Sequence, residues 1–121
     1  MIHLLIPASL LLFFDFLYLK SFGNSLFGPM VRNIQKQNMV LSFFPSIIAY
    51  IFIFFILYFF ILLPRLSPLH AFLLGASVYG VFDFTNLAIF SNYQYFPAII
   101  DTIWGGILFY ITTFITYYFY K

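Results

Sequence analysis

Four stretches of this sequence are long enough and apolar enough to cross a lipid bilayer as helices. A hydrocarbon core of about 30 Å needs about 20 consecutive, mostly apolar residues in an α-helix. The stretches that meet this requirement are residues 2–19, 40–63, 69–90 and 97–119. Helices suit such spans because all their backbone polar groups can be paired within the segment. The sequence therefore predicts an all-α membrane protein, in which residues 1–121 form one domain, a four-helix transmembrane bundle.

The composition agrees with lipid as the main solvent. Hydrophobic residues make up 64% of the chain and charged residues only 7%, whereas a soluble domain has roughly 25% charged residues. With a mean hydropathy of +1.06, the chain has too little polar surface to cover a water-soluble globule. The net charge of +2 is too small to indicate a nucleic-acid partner. The lack of cysteine excludes disulfide and thiolate chemistry.

Proline-containing turns separate the last three stretches. Residues 63–68 predict a tight turn with Pro68 at the start of the third helix, and residues 91–97 predict a second turn with Pro97 at the start of the fourth. Short connections make the joined helices antiparallel neighbours. The first stretch has no basic region before it and contains Asp15, so we expect a membrane span rather than a cleaved signal peptide.

The connection over residues 20–39 is the one long loop, and its pattern is amphipathic. Apolar residues recur at steps of three and four, and Gly28-Pro29 interrupts them. We predict an interfacial loop with two short helical pieces that break at Gly28-Pro29. A loop packed over the helix ends is the alternative.

The lysine and arginine residues predict the orientation. The long loop contains Lys20, Arg32 and Lys36, whereas Arg65 and Lys121 lie on the opposite side. Cytoplasmic segments of membrane proteins carry an excess of lysine and arginine. We therefore predict that the long loop is inside and that both termini are outside.

All three acidic residues of the chain, Asp15, Asp83 and Asp101, lie inside apolar stretches. A charged side chain at bilayer depth costs several kcal/mol, so such residues are candidates for function. A rise of 1.5 Å per residue places them about 7, 12 and 6 Å from the nearest helix ends. These ends lie on the same side of an up-down-up-down bundle. The spacing therefore predicts that the three acids share one half of the membrane.

Small and polar residues on the third and fourth helices repeat at steps of three and four, which is typical of inward faces. These residues are Ala76, Tyr79, Gly80, Asp83, Asn86, Asp101, Trp104 and Gly105. Ala76 and Gly80 form a small-xxx-small pair and, with Gly105, predict close helix packing. The other five residues, together with Asp15, form a candidate intramembrane polar cluster.

Two interpretations of the acids stay open. In the functional one, they line a polar pocket that binds a cation, a proton or a polar headgroup. In the structural one, they are hydrogen-bonded pins, which hold neighbouring helices together. The partners would be Tyr79 or Asn86 for Asp83, the start of the fourth helix for Asp101, and Lys20 for Asp15.

Two motifs on the third and fourth helices resemble those of a known family. Residues 79–88 read YGVFDFTNLA, and residues 100–105 read IDTIWG. They resemble the Y-x-x-[YF]-D-x-T-N-L-A and I-D-x-x-W-G segments of the domain-of-unknown-function family 2177, a family of small membrane proteins. Asp15 with Leu17 is similar to the family's early D-x-L-W-L pattern, although Tyr18 stands where tryptophan is usual. The resemblance implies a four-helix membrane protein, picks out the same three acids and implies no activity.

The sequence contains no nucleophile motif, no metal-ligand set and no cofactor-binding loop. We therefore expect no cofactor, no metal and no enzymatic activity. The first functional prediction is a non-enzymatic component packed with other membrane protein subunits in a larger assembly, such as a respiratory-type complex or a viral inner membrane. The alternative is a small transporter of protons, cations or a polar solute that uses the carboxylate pocket. A lipid-modifying enzyme comes third, because paired acids can perform acid–base chemistry.

Overall fold

The computed structural model describes residues 2–37 and 42–120, and it contains five α-helices within these ranges. Helix α1 continues through a first π-helical segment into α2, and α3 continues into a second π-helical segment before α4 and α5. The bounds are α1 Ile2–Tyr18, first π-helical segment Leu19–Gly23, α2 Asn24–Gln35, α3 Phe43–Leu57, second π-helical segment Tyr58–Leu62, α4 Pro68–Ile89 and α5 Tyr95–Phe119. The all-α prediction is confirmed.

Four helical segments in the described part of the chain are long and apolar enough to cross a membrane. They are Leu4–Gly23, Phe43–Leu62, Pro68–Ile89 and Tyr95–Phe119. These segments agree with the predicted four-helix bundle, with ends that differ from the predicted spans by a few residues, while the predicted start at residue 40 lies outside the described residues. Because lipid offers no partner to a free backbone group, even the aromatic and β-branched residues of α3 form a helix.

Local chemistry explains where α4 and α5 begin. The hydroxyl of Ser67 accepts a hydrogen bond from the backbone N–H of His70 at 3.4 Å, and Pro68 opens α4. A side-chain oxygen at this position satisfies a backbone donor that has no partner within the helix. Helix α5 begins at Tyr95, two residues before the predicted start at Pro97. Pro97 lies in the first turn, where its missing N–H costs no helical hydrogen bond.

The predicted break at Gly28-Pro29 is wrong, because α2 runs through both residues. A proline normally disfavours helical geometry in the preceding residue, since its ring collides with that residue's Cβ. Gly28 has no Cβ, so the helix continues. The region predicted as a loop over residues 20–39 is thus helical from Leu19 to Gln35, as an extension of α1.

Helix α2 is amphipathic, and its apolar side packs over the turn between α4 and α5. Met30 is buried, and its sulfur accepts a hydrogen bond from the backbone N–H of Gln94 at 3.1 Å. The ring of Phe27 meets the ring of Tyr93 edge-on, with 6.4 Å between centroids. Arg32 is exposed on another side of the helix. The segment therefore combines the predicted amphipathic helix with the alternative of packing over helix ends.

Glycine residues make α4 and α5 the most closely packed helix pair. A Cβ atom at Gly75 would overlap the backbone of Gly105, and one at Gly105 would overlap the side chain of Tyr79. A Cβ atom at Gly106 would lie 2.8 Å from the ring of Phe72. Small residues allow this close backbone approach, which is a main source of helix association in lipid.

The closest approach does not fall on the small-xxx-small pair singled out in the sequence. Ala76 is only half-buried. A Cβ atom at Gly80 would lie 3.4 Å from Thr102, which is an ordinary contact distance. The tight contact is centred on Gly75, one residue before Ala76, because Gly75 is the residue whose backbone faces Gly105.

An apolar core fills the half of the bundle near the turn between α3 and α4. It consists of Leu11, Leu57, Ile61, Leu62, Ala71, Leu108 and Phe109. Helix α3 packs mainly on α1. The hydroxyl of Tyr117 donates to the carbonyl oxygens of Leu66 at 2.7 Å and Ile61 at 3.2 Å, which ties this turn to α5. The guanidinium of Arg65 lies 4.7 Å from the centre of the Tyr117 ring.

Candidate functional site

The structure brings the carboxyl groups of Asp15, Asp83 and Asp101 together at one level of the bundle. They come from α1, α4 and α5, and their exposed fractions are only 6%, 0% and 8%. Aspartate is almost never this buried unless it is paired. We call these three carboxyl groups the acidic cluster. The hydrogen-bond partners of these carboxyl groups determine which chemistry the site can support.

Asp15 is held by two donors from two other helices. One carboxylate oxygen accepts a hydrogen bond from the indole N–H of Trp104 at 3.0 Å, and the other accepts one from the hydroxyl of Tyr50. Asp15 therefore joins α1 to both α3 and α5. Lys20, its partner in the structural interpretation, is exposed.

Asp83 and Asp101 lie against each other. Their carboxyl groups are within hydrogen-bonding reach. Oδ1 of Asp83 accepts a hydrogen bond from the hydroxyl of Tyr93 at 3.2 Å, while Oδ2 is buried without a protein donor. Two carboxyl groups in direct contact cannot both be ionised unless a cation lies between them. The pair therefore needs either a shared proton or a bound cation.

Tyr18 completes the aromatic wall of the acidic cluster. Its ring stacks on Trp104, with 4.7 Å between centroids and 4° between planes. Its hydroxyl faces the carboxyl group of Asp101 but is buried without a well-aligned hydrogen bond. Tyr79 lies nearby and meets Phe109 edge-on. Two buried polar atoms at this site, Asp83 Oδ2 and the Tyr18 hydroxyl, thus have no well-aligned partner among the described residues.

Tyr93, in the turn between α4 and α5, closes the end of the acidic cluster. Its hydroxyl contacts the side chains of Asp83 and Asn86. Burial and the neighbouring carboxyl group of Asp83 raise the pKa of Tyr93 above its usual range. The hydroxyl therefore keeps its proton and acts as a donor. Asn86, a sequence-predicted member of the polar cluster, faces Tyr93.

The acidic cluster has no cationic partner within the part of the chain that the structure describes. The side chains that contact its three carboxyl groups are tyrosine, tryptophan, threonine and aspartate. Asp101 lies well inside α5, seven residues along a helix that begins at Tyr95, so it is not the helix cap of the structural interpretation. The site has a surplus of negative charge or bound protons.

A cavity of about 460 Å³ lies beside the acidic cluster and between α3 and α4. We call it the α3–α4 cavity. Its polar lining residues are Asp15, Ser46, Tyr50, Tyr79 and Asp101. Its apolar lining residues are Ala49, Phe52, Ile53, Ile56, Val78 and Phe82. Two of the three carboxyl groups are thus accessible from a space large enough for a small organic molecule.

Residues 2–37 and 42–120 contain no group of three histidine, cysteine or acidic side chains placed to hold a metal ion. Three tyrosines that contact the acidic cluster, Tyr18, Tyr50 and Tyr93, were not among the predicted members of the polar cluster. The sequence does indicate Tyr18, because a residue three positions after Asp15 lies on the same helix face. Tyr50 lies in a stretch without any motif, and Tyr93 lies in a turn.

No curated protein and no solved structure matches this sequence. The model of one family, described as "Predicted membrane protein (DUF2177)", matches residues 1–118. The match covers the helices that contain Asp15, Asp83 and Asp101, and its description agrees with the four apolar helical segments. The chain is therefore an integral membrane protein that belongs to the DUF2177 family.

Proposed function

We propose that this protein is a small membrane transporter that binds a proton or another cation at the acidic cluster. The observation that carries the proposal is the direct contact between the buried carboxyl groups of Asp83 and Asp101. Ionisable residues within membrane spans typically mark ion pathways and proton relays. A pair of carboxyl groups that needs a proton or a cation between them is suited to take up and release one.

A purely structural role explains the acidic cluster less well. A hydrogen-bonded pin needs an acceptor for each donor, and an uncharged asparagine provides one at lower desolvation cost. Here Oδ2 of Asp83 is buried without a donor. The hydrogen bonds of a pin leave this oxygen unsatisfied, which costs free energy, whereas a proton or cation shared with Asp101 would satisfy it. The arrangement supports a role in which the negative charge, or the proton that replaces it, is needed.

An apolar layer supports a carrier rather than an open channel. Leu11, Leu57, Leu108 and Phe109 are fully or almost fully buried, one to two helical turns from the acidic cluster. Beyond this layer on α5, Thr112 is buried with its hydroxyl unpartnered. Such a layer excludes water from the interior on one side of the cluster. A carrier requires a binding site that opens to only one side of the membrane at a time.

Membership of a larger membrane assembly stays a prediction from the sequence. The many exposed apolar side chains of the described helices would suit contacts with other subunits. They are equally what lipid contact requires, so they do not favour the assembly over the transporter. Co-purification of fixed partner subunits after mild detergent extraction would support the assembly role.

The transporter proposal is tested by flux into vesicles that contain the purified protein. With an imposed proton, sodium or potassium gradient, we expect flux well above that of empty vesicles. Asp83→Asn and Asp101→Asn should each lower it by at least about 100-fold, because each removes one member of the carboxyl pair. Fluorescence of Trp104, the only tryptophan, reports whether each variant keeps its fold.

The matched control is Thr85→Ala on α4, two residues from Asp83 and exposed. It should leave flux unchanged. The proposal is overturned if the folded native protein moves neither these three cations nor an organic cation. It is also overturned if the two aspartate variants, shown to be folded, transport as fast as the native protein.

A further inference from the structure

We propose that the cation bound at the acidic cluster is an organic one, with an apolar body that occupies the α3–α4 cavity. The inference rests on the proposed function, because it names the substrate class of the same site. It also gives a route of entry, which is lateral from the bilayer, between α3 and α4. The lining, the size, the charge and the opening of the cavity each point to this class.

The lining of the α3–α4 cavity is divided between polar and apolar groups. Carboxyl groups of Asp15 and Asp101 and the phenol of Tyr50 lie on the side of the acidic cluster. The remaining walls are mainly aliphatic and phenyl side chains, such as Ile53 and Val78. A ligand that matches this lining has one positively charged group and a larger hydrophobic part.

The size of the cavity favours an organic molecule over a bare inorganic ion. A volume of about 460 Å³ is in the usual range for sites that enclose drug-sized ligands, roughly 300–1,000 Å³. Inorganic cations instead need a compact shell of oxygen ligands. The aliphatic and phenyl walls of this cavity provide no such shell.

The charge of the site requires a positive partner that the described protein does not supply. The side chains in contact with the three carboxyl groups include no lysine or arginine among the described residues. Aromatic faces such as Tyr50 and Tyr79 also stabilise a diffuse positive charge. An ammonium or phosphonium group supplies this positive charge, and an ammonium N–H can in addition donate to a carboxyl oxygen.

The opening of the cavity faces the surroundings of the bundle. Phe52 on α3 and Phe82 on α4 both line the cavity, yet they are 64% and 60% exposed. Helix α3 packs mainly on α1, so it does not close against α4. A hydrophobic cation dissolved in the bilayer can therefore reach the carboxyl groups without passing through the apolar core.

Tetraphenylphosphonium, a permanently charged hydrophobic cation, is the probe for this proposal. Equilibrium binding to the reconstituted protein should be saturable, with one cation per chain, and should change the fluorescence of Trp104. Asp15→Asn should weaken binding by about tenfold or more, because it removes one charge that faces the cavity. Neutral triphenylphosphine should show no saturable binding.

Two valines on α4 provide a matched pair of variants. Val78 lines the cavity, whereas Val81 is exposed on the outside of the helix. Val78→Phe fills the cavity and should abolish tetraphenylphosphonium binding, while Val81→Phe should leave it unchanged. If Val78→Phe does not fold, Ala49→Phe tests the same point from the wall formed by α3.

The inference is wrong if native protein shows no saturable tetraphenylphosphonium binding, or if Val78→Phe and Val81→Phe bind it equally. Either result, together with intact proton or sodium flux, would leave the transporter proposal standing with an inorganic substrate. Loss of both binding and flux in folded protein would overturn the two proposals together.

Discussion

Helix α4 meets its two neighbours in opposite ways. Against α5 it packs so closely that Gly75 and Gly105 leave no room for a single added carbon. Towards α3 it leaves a cavity of about 460 Å³ beside the acidic cluster. The same helix therefore has one closed interface and one open interface.

The distribution of small residues explains the difference. In lipid, helices gain little from burying apolar surface against each other, so they associate through close packing and hydrogen bonds. Helix α3 contains no glycine, and its bulky residues hold neighbours at a distance. Its position instead depends on polar contacts, chiefly the hydrogen bond from Tyr50 to Asp15. The glycines thus allow the α4–α5 interface to close, whereas hydrogen bonds between polar side chains keep α3 in place.

The largest expected effect comes from placing a valine side chain at both interfaces. Gly75→Val should lower the free energy of unfolding by about 3 kcal/mol or more, because its side chain overlaps the backbone of Gly105. Ala49→Val, in the wall of the α3–α4 cavity, should change it by less than about 0.5 kcal/mol. Unfolding in mixed micelles, followed by Trp104 fluorescence, measures both values.

A different effect of added bulk is expected from Gly28→Ala in α2, where an added Cβ meets nothing within 4 Å beyond its chain neighbours. Because that Cβ would crowd the ring of Pro29, the variant should not gain the roughly 1 kcal/mol by which alanine normally favours a helix over glycine. Equal destabilisation by Gly75→Val and Ala49→Val would show that the two interfaces do not differ in the way described.

An intermediate effect is expected from Tyr50→Phe, which removes the donor that links α3 to Asp15. The free energy of unfolding should fall by about 1 kcal/mol, the usual size of a hydrogen bond between membrane helices. Tyr95→Phe is the control, since Tyr95 is 68% exposed at the start of α5. If the two variants are equally stable, the hydrogen bond does not hold the open interface together.

The smallest effect should come from Tyr117→Phe, at the opposite end of the same interface. Its hydroxyl donates to two carbonyl oxygens near the turn between α3 and α4. Loss of these bonds should cost about 0.5 kcal/mol, because water and headgroups can replace the donor at a helix end. Tyr110→Phe on the same helix should cost nothing measurable, and hydrogen exchange in the turn separates the two outcomes.

Most of the fold follows from the sequence, because lipid leaves few choices to a long apolar stretch. The four spans and the helix start at Pro68 need only length, apolarity and proline chemistry. The helical path through Gly28-Pro29 does not follow from the rule that a proline breaks a helix. That rule rests on a clash between the proline ring and the Cβ of the preceding residue, and glycine has no Cβ.

The site was less predictable than the fold. Spacing from the turns is enough to put Asp15, Asp83 and Asp101 in one half of a bundle. It does not identify Tyr50 as a partner of Asp15, because which face of α3 turns inward depends on packing between helices distant in sequence. The central role of Gly75 in the α4–α5 contact was missed for the same reason, although Gly105 had been singled out.

The two π-helical segments have a consequence for how this chain tolerates changes of length. In the second, the N–H of Leu63 bonds to the carbonyl of Tyr58, five residues back. Such a turn holds one residue more than an α-helical turn. Deleting one residue there tightens the turn without rotating the helix on either side, so Tyr50 still faces Asp15. Elsewhere in α3, a deletion would turn every preceding side chain by about 100°.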